Sequence, residues 1–73
     1  MKLTINGESR DFDAAAPFNL SALVERLGMK ADRVAVELNR EIVPRDQWGN
    51  TDLNEGDRLE IVHFVGGGWQ ELS

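Results

Sequence analysis

The sequence contains no cysteine and no tyrosine, a single histidine and two prolines, and its eight lysines and arginines are outnumbered by thirteen aspartates and glutamates. Without cysteine there is no disulfide, no thiolate nucleophile, no thiolate zinc site and no persulfide, so any reactive group must be oxygen or nitrogen. The formal net charge of -5 repels phosphate backbones, and no Lys/Arg cluster is present to release counterions, so nucleic acid is not an expected partner. An acidic surface does suit a basic protein partner through electrostatic steering, and it equally suits a surface that is merely solvated. No apolar run approaches the roughly 20 residues of a membrane span, and residues 1–7 lack the roughly 7 to 15 apolar residues of a secretory signal. No membrane partner is expected, and the expected location is cytoplasmic.

What is present is enough for one folded domain. A hydrophobic fraction of 41% supplies a core, and 29% charged residues interleaved with Leu, Ile and Val clusters argue against disorder. At 73 residues the chain buries only about 60% of its unfolded surface on folding. An enclosed interior active site is therefore hard to build.

Leu3 and Ile5 alternate with Lys2 and Thr4 before Asn6-Gly7, a strong two-residue hairpin signal, so a strand, a tight turn and a second strand over residues 8–12 are predicted. After a small-residue connection over residues 13–17, Asn19 is placed to cap a helix. Leu20, Leu23, Val24 and Leu27 then fall on one helical face, with Glu25 and Arg26 outward and Gly28 as the stop. Val34, Val36 and Leu38 alternate in a third strand, Asn39-Arg40 turns the chain, and residues 41–43 form a fourth that Pro44 ends. Residues 45–54, with Trp48 and Leu53, read as a connection containing a helical turn. Turn residues 54–57 lead into the last and longest strand, residues 58–65. The fold class is α+β: a mixed sheet of about five strands with one main helix across one face, which puts Leu59 and Ile61 toward the helix and Val62 and Phe64 outward.

Candidate chemistry is sparse. His63 has no serine or cysteine at nucleophile-base spacing and lies in an apolar strand, so it reads as a structural residue. Asp11 and Asp13 can share a side of an extended segment, but nothing indicates a metal or a sugar between them, and no metal site is expected. Gly66-Gly67-Gly68 follows the last strand and opens no helix, so it is not a phosphate cradle. Three glycines have the widest backbone freedom and no side chain to pack, and they reach about 10 Å when extended. Such a thread can enter a narrow channel in a partner, although a flexible linker has the same composition.

Residues 36–48, with Val43-Pro44-Arg45 followed by Trp48, and residues 55–68, with Gly56-Asp57, the last strand and the glycines, closely resemble the ThiS-like sulfur carriers of thiamine biosynthesis. The resemblance runs over residues 1–68 and implies the ubiquitin-like β-grasp fold, in agreement with the element order. It further implies that the chain is no enzyme. An adenylating, E1-like enzyme would use ATP and Mg²⁺ to activate the carboxylate of Gly68, and a sulfur donor such as a cysteine desulfurase would convert it to a thiocarboxylate for thiazole synthase. No cofactor is then bound by the chain itself. Gly66 and Gly67 would thread into the partner, and Val62 and Phe64, with Ile42, are expected to form its docking patch on the open sheet face.

Family members typically stop at the glycines, whereas here Trp69-Gln70-Glu71-Leu72-Ser73 follow. The expected division is a β-grasp body over residues 1–65 and a flexible tail over residues 66–73. A processing protease that removes residues 69–73 would expose Gly68; alternatively the tail is permanent, or is foreign to the native protein. A frayed end is the expected state of the tail, with Trp69 folded back over Val62 and Phe64 as the other arrangement. Competing functions are a β-grasp interaction module, a ubiquitin-like protein modifier, and a sulfur carrier for molybdopterin or cysteine synthesis, since fold alone does not choose among them.

Overall fold

Asn6 and Gly7 adopt φ of 51° and 83°, the left-handed values of a primed turn, which folds β1 (Lys2–Ile5) back onto β2 (Glu8–Asp11). This is a computed structural model and it describes residues 1–13, 17–65 and 68–71. The second strand stops one residue short of Phe12, whose amide nevertheless donates to the Met1 carbonyl at 2.7 Å and whose ring is buried. Residues 14–16 of the expected small-residue connection lie outside the described residues.

Helix α1 (Leu20–Arg26) begins where the sequence placed its cap: the Asn19 side chain accepts from the Ala22 amide at 2.8 Å, satisfying one of the unpaired donors of the first turn. Leu20, Leu23 and Val24 are buried, and Leu27 packs at the edge of the core. Gly28, at φ 75°, takes the left-handed conformation that ends the helix, its amide donating to the Glu25 carbonyl at 3.0 Å.

A short 3₁₀ turn (Ala31–Arg33) leads into β3 (Val34–Leu38), and Asn39-Arg40, both at positive φ, turn it into β4 (Glu41–Val43). The expected helical turn after Pro44 is a 3₁₀ helix (Arg45–Asn50) lying beside α1. Its Trp48 is buried, and the indole N–H donates to the Val43 carbonyl at 2.9 Å, which joins the connection to the strand it leaves. The start of α1 is tied to the same segment: the Leu20 amide donates to the Thr51 carbonyl and the Leu53 amide to the Phe18 carbonyl.

The last predicted strand is β5 (Arg58–Val65). It runs parallel to β1 through Thr4 with Arg58 and Ile5 with Leu59, and antiparallel to β3 from Val34 with His63 to Leu38 with Leu59. The order is β2-β1-β5-β3-β4, so the sheet is mixed and β5 sits at its centre. One face carries Leu3, Ile5, Val34, Val36, Leu59 and Ile61 into a core closed by α1, Phe12, Phe18, Trp48 and Leu53. These are the five strands and single main helix of the β-grasp reading.

The difference lies at the C-terminal end. A flexible tail was expected from residue 66, but Gly68–Glu71 forms a sixth strand, β6, antiparallel to β5 with Val65 opposite Gly68 and Val62 opposite Glu71. The physical reason is an unfilled edge, because β1 covers β5 only at Arg58 and Leu59 and leaves its later residues open on that side. Residues 66, 67, 72 and 73 lie outside the described residues. Among the described residues no helix is long and apolar enough to cross a membrane.

Candidate functional site

Two features converge on β5. Its alternation sends Leu59 and Ile61 into the core and leaves Glu60, Val62 and Phe64 on the face opposite α1. On that open face Ile42 of β4 pairs with Glu37 of β3, and Ala35 of β3 pairs with Val62 of β5. A shallow, predominantly apolar depression results, lined by Ala35, Val36, Glu37, Ile42, Glu60 and Val62. Ile42 is 75% exposed and Phe64 38%, and they are the exposed large apolar side chains among the described residues. The structure thus brings Ile42 and Val62 to one depression, with Phe64 farther along β5 and outside its lining.

The second feature is the exit of the chain from β5. Of the three glycines singled out in the sequence, Gly66 and Gly67 lie outside the described residues, while Gly68 opens β6. Gly68 is therefore held in the sheet opposite Val65, and the register partner of Phe64 is Trp69.

The remaining candidates lie apart from these two features. His63 is half-buried and shares a cleft with Gly28, Met29, Lys30 and Arg33, and among the described residues that line it there is no hydroxyl or carboxylate. Asp11 is exposed and accepts from the Met1 ammonium group at 3.3 Å, and Asp13 is exposed. Among the described residues no three His, Asp or Glu side chains form a group able to hold a metal ion.

One contributor escaped sequence reading. The Asn6 side chain accepts from the Ile61 amide at 2.7 Å and donates to the Ile61 carbonyl at 3.1 Å, so a side chain extends the β1 pairing by one more position along β5. The sequence marks Asn6 only as a turn residue, and a partner 55 positions away leaves no local signal.

A mixed five-stranded β-grasp sheet with one main helix on one face and an apolar depression on the other defines the class of small ubiquitin-like β-grasp proteins. The chain belongs to the ThiS family, whose model matches residues 3–68 and ends on the last of the three glycines. It is similar to the thiamine biosynthesis protein ThiS of Geobacter metallireducens, whose crystal structure it matches with a TM-score of 0.80 at 38% identity, over 93% of this chain and all of that one. It is 28% identical to the sulfur carrier protein ThiS of Escherichia coli over 68 residues, 93% of this chain and 100% of that protein. A protein of Paramagnetospirillum magneticum named thiazole synthase is 50% identical over 68 residues, 93% of this chain but 20% of that protein. The chain thus spans about a fifth of the length of that relative.

Proposed function

We infer that this protein carries sulfur on the carboxyl carbon of Gly68 for thiazole formation in thiamine biosynthesis, as a carrier and not as a catalyst. The observation that carries this reading is the coincidence of the family match with the chain chemistry: the match stops at Gly68. In a chain without cysteine, a carboxyl carbon is the remaining place to attach sulfur. An adenylating enzyme joins the Gly68 carboxylate to AMP and releases pyrophosphate, with ATP and Mg²⁺ supplied at its own site. A sulfur donor such as a cysteine desulfurase presents a persulfide whose outer sulfur displaces AMP to give an acyl disulfide, and a thiol reductant cleaves that disulfide to leave the thiocarboxylate. Thiazole synthase takes that sulfur in exchange for an oxygen, from its substrate or from water, which restores the carboxylate. Glycine suits the role because an acyl centre without a β-carbon is open to attack and fits a narrow site.

Ile42, Val62 and Phe64 dock the body, and residues 66–68 reach the partner's reacting centre. The relatives named thiazole synthase support the choice of acceptor, since each contains a segment matching 93% of this chain. Residues 69–73 must be removed first, by a processing protease, because Gly68 otherwise has no free carboxylate. The test is intact-mass analysis of a chain ending at Gly68 after incubation with an adenylating enzyme, ATP, Mg²⁺, a sulfur donor and a thiol reductant. A mass gain equal to the replacement of one oxygen by sulfur is expected. Stable adducts on partner lysines without that gain would instead identify a protein modifier.

A further inference from the structure

The outer edge of β5 is covered by three successive devices. The strand β1 pairs with Arg58 and Leu59, the Asn6 side chain pairs with Ile61, and β6 pairs from Val62 to Val65. Ile61 directs its N–H and C=O toward Asn6, and groups two residues apart on a strand point the same way, so His63 and Val65 present theirs to β6. The register sets Gln70 opposite His63 and Gly68 opposite Val65. Those two pairs therefore exchange the amide hydrogen bonds of the ladder, while Phe64 with Trp69 and Val62 with Glu71 are the alternate, non-bonded pairs.

The family match ends on the first residue of this strand. Trp69, Gln70 and Glu71, which make up the rest of β6, all belong to the extension. Without them only Gly68 would remain opposite β5, and one residue makes no ladder. The extension creates the strand, and the strand occupies Gly68.

We propose that residues 69–71 act as an intramolecular latch: by adding a strand to the open edge of β5 they hold Gly68 against the body, and the carrier end is released only when β6 peels away or is cut off. Pairing with Val65 and extension into a partner's channel exclude each other, because both need the Gly68 backbone. A cut after Gly68 thus has two effects at once. It creates the carboxylate, and it removes the residues that face Val62, His63 and Phe64. The connection between the two strands is Gly66-Gly67, a length and composition that tight hairpins favour, so the glycines suited to threading are equally suited to folding back.

The purpose of the latch rests on the sulfur-carrier reading, but its existence is a property of the chain alone, and the test uses neither a partner nor sulfur. Residue-resolved hydrogen exchange is compared for the full chain, a chain ending at Gly68, and full-length Gln70→Pro, in which residue 70 loses the N–H that bonds to His63. Exchange at the His63 and Val65 amides is expected to rise about tenfold in both variants, as fits the loss of roughly one net hydrogen bond. Ile61, held by Asn6, and Val36, paired on both sides, should keep their protection. Equal exchange at His63 and Val65 in all three chains would overturn the latch and leave the carrier reading untouched. The carrier reading fails separately, through absence of the sulfur mass gain in the chain ending at Gly68.

Discussion

Asn6 and Ile61 are joined by two hydrogen bonds between one side chain and one residue's backbone, 2.7 Å from the Ile61 amide to Asn6 Oδ1 and 3.1 Å from Asn6 Nδ2 to the Ile61 carbonyl. The carboxamide imitates a peptide group. It lengthens a parallel contact that strands β1 and β5 make through only two registered pairs. The same residue turns the first hairpin at φ 51°, a conformation that asparagine tolerates better than most residues.

Replacing Asn6 with Ala removes both bonds and leaves a side chain poorly suited to that backbone. Urea denaturation should show a loss of about 2 to 3 kcal/mol, the sum of two modest hydrogen bonds and a left-handed penalty. Asn6→Gly keeps the turn conformation and loses only the bonds, so it should fall between the two. Equal stability of Asn6→Ala and the parent would refute the bridging role.

Arg40 occupies the second turn at φ 74° with its side chain exposed. A two-residue turn with both φ values positive favours Asn-Gly, and Asn39 already supplies the first position. Arg40→Gly should therefore raise stability by up to about 1 kcal/mol. A fall in the urea midpoint would show that the arginine side chain stabilises the fold more than its backbone strains it.

Phe64 and Ile42 are exposed on the open face, so charge there should act on binding more than on folding. Ile42→Asp is expected to keep the stability in urea within about 0.5 kcal/mol of the parent, as surface changes generally do, whereas Phe64→Asp, at a partly covered position opposite Trp69, should lower it and still leave the domain folded. Adenylation of the Gly68-ending chain should be abolished by Phe64→Asp and weakened by Ile42→Asp. Undiminished adenylation of both variants would remove the docking patch from the proposal.

His63 offers a check on the passive nature of the carrier. A histidine in general acid-base catalysis contributes roughly 10²- to 10⁴-fold to rate. In a carrier, His63→Gln should lower thiocarboxylation by much less than that. A loss of a hundredfold with the fold intact would give this residue a catalytic part.

The sequence was most informative where local chemistry decides local structure. Asn6-Gly7, Asn19, Gly28 and Asn39-Arg40 each announced a turn or a helix end, and the structure realises each through a positive φ or a capping bond. The strand over Arg58–Val65 was read with its bounds and its inward face correct, because alternation records burial directly. The same parity turns Val62 and Phe64 outward. What parity could not supply was their neighbours: that Ile42 and Val62 border one depression follows from the β4-β3-β5 order, which pairing across long loops determines.

The tail shows the other limit. Glycines after a strand were read as release, although a Gly-Gly pair between two extended segments is also a hairpin signal. The two readings differ by whether an open edge awaits the returning chain, and no residue near Gly66 carries that information.

By itself, then, the sequence determined the order of elements from β1 to β5, the caps and turns, the inward face of β5, the absence of thiol chemistry and the place of the glycine run after the last strand it announced. Tertiary structure alone decided that Asn6 would pair with Ile61, that Ile42 would share a depression with Val62, and that Gly68 would lie in a sixth strand. The reason is common to all three. Each depends on which strand edges meet and which stay open once β1, β3 and β5 have come together, and that is set by contacts between residues far apart in the chain.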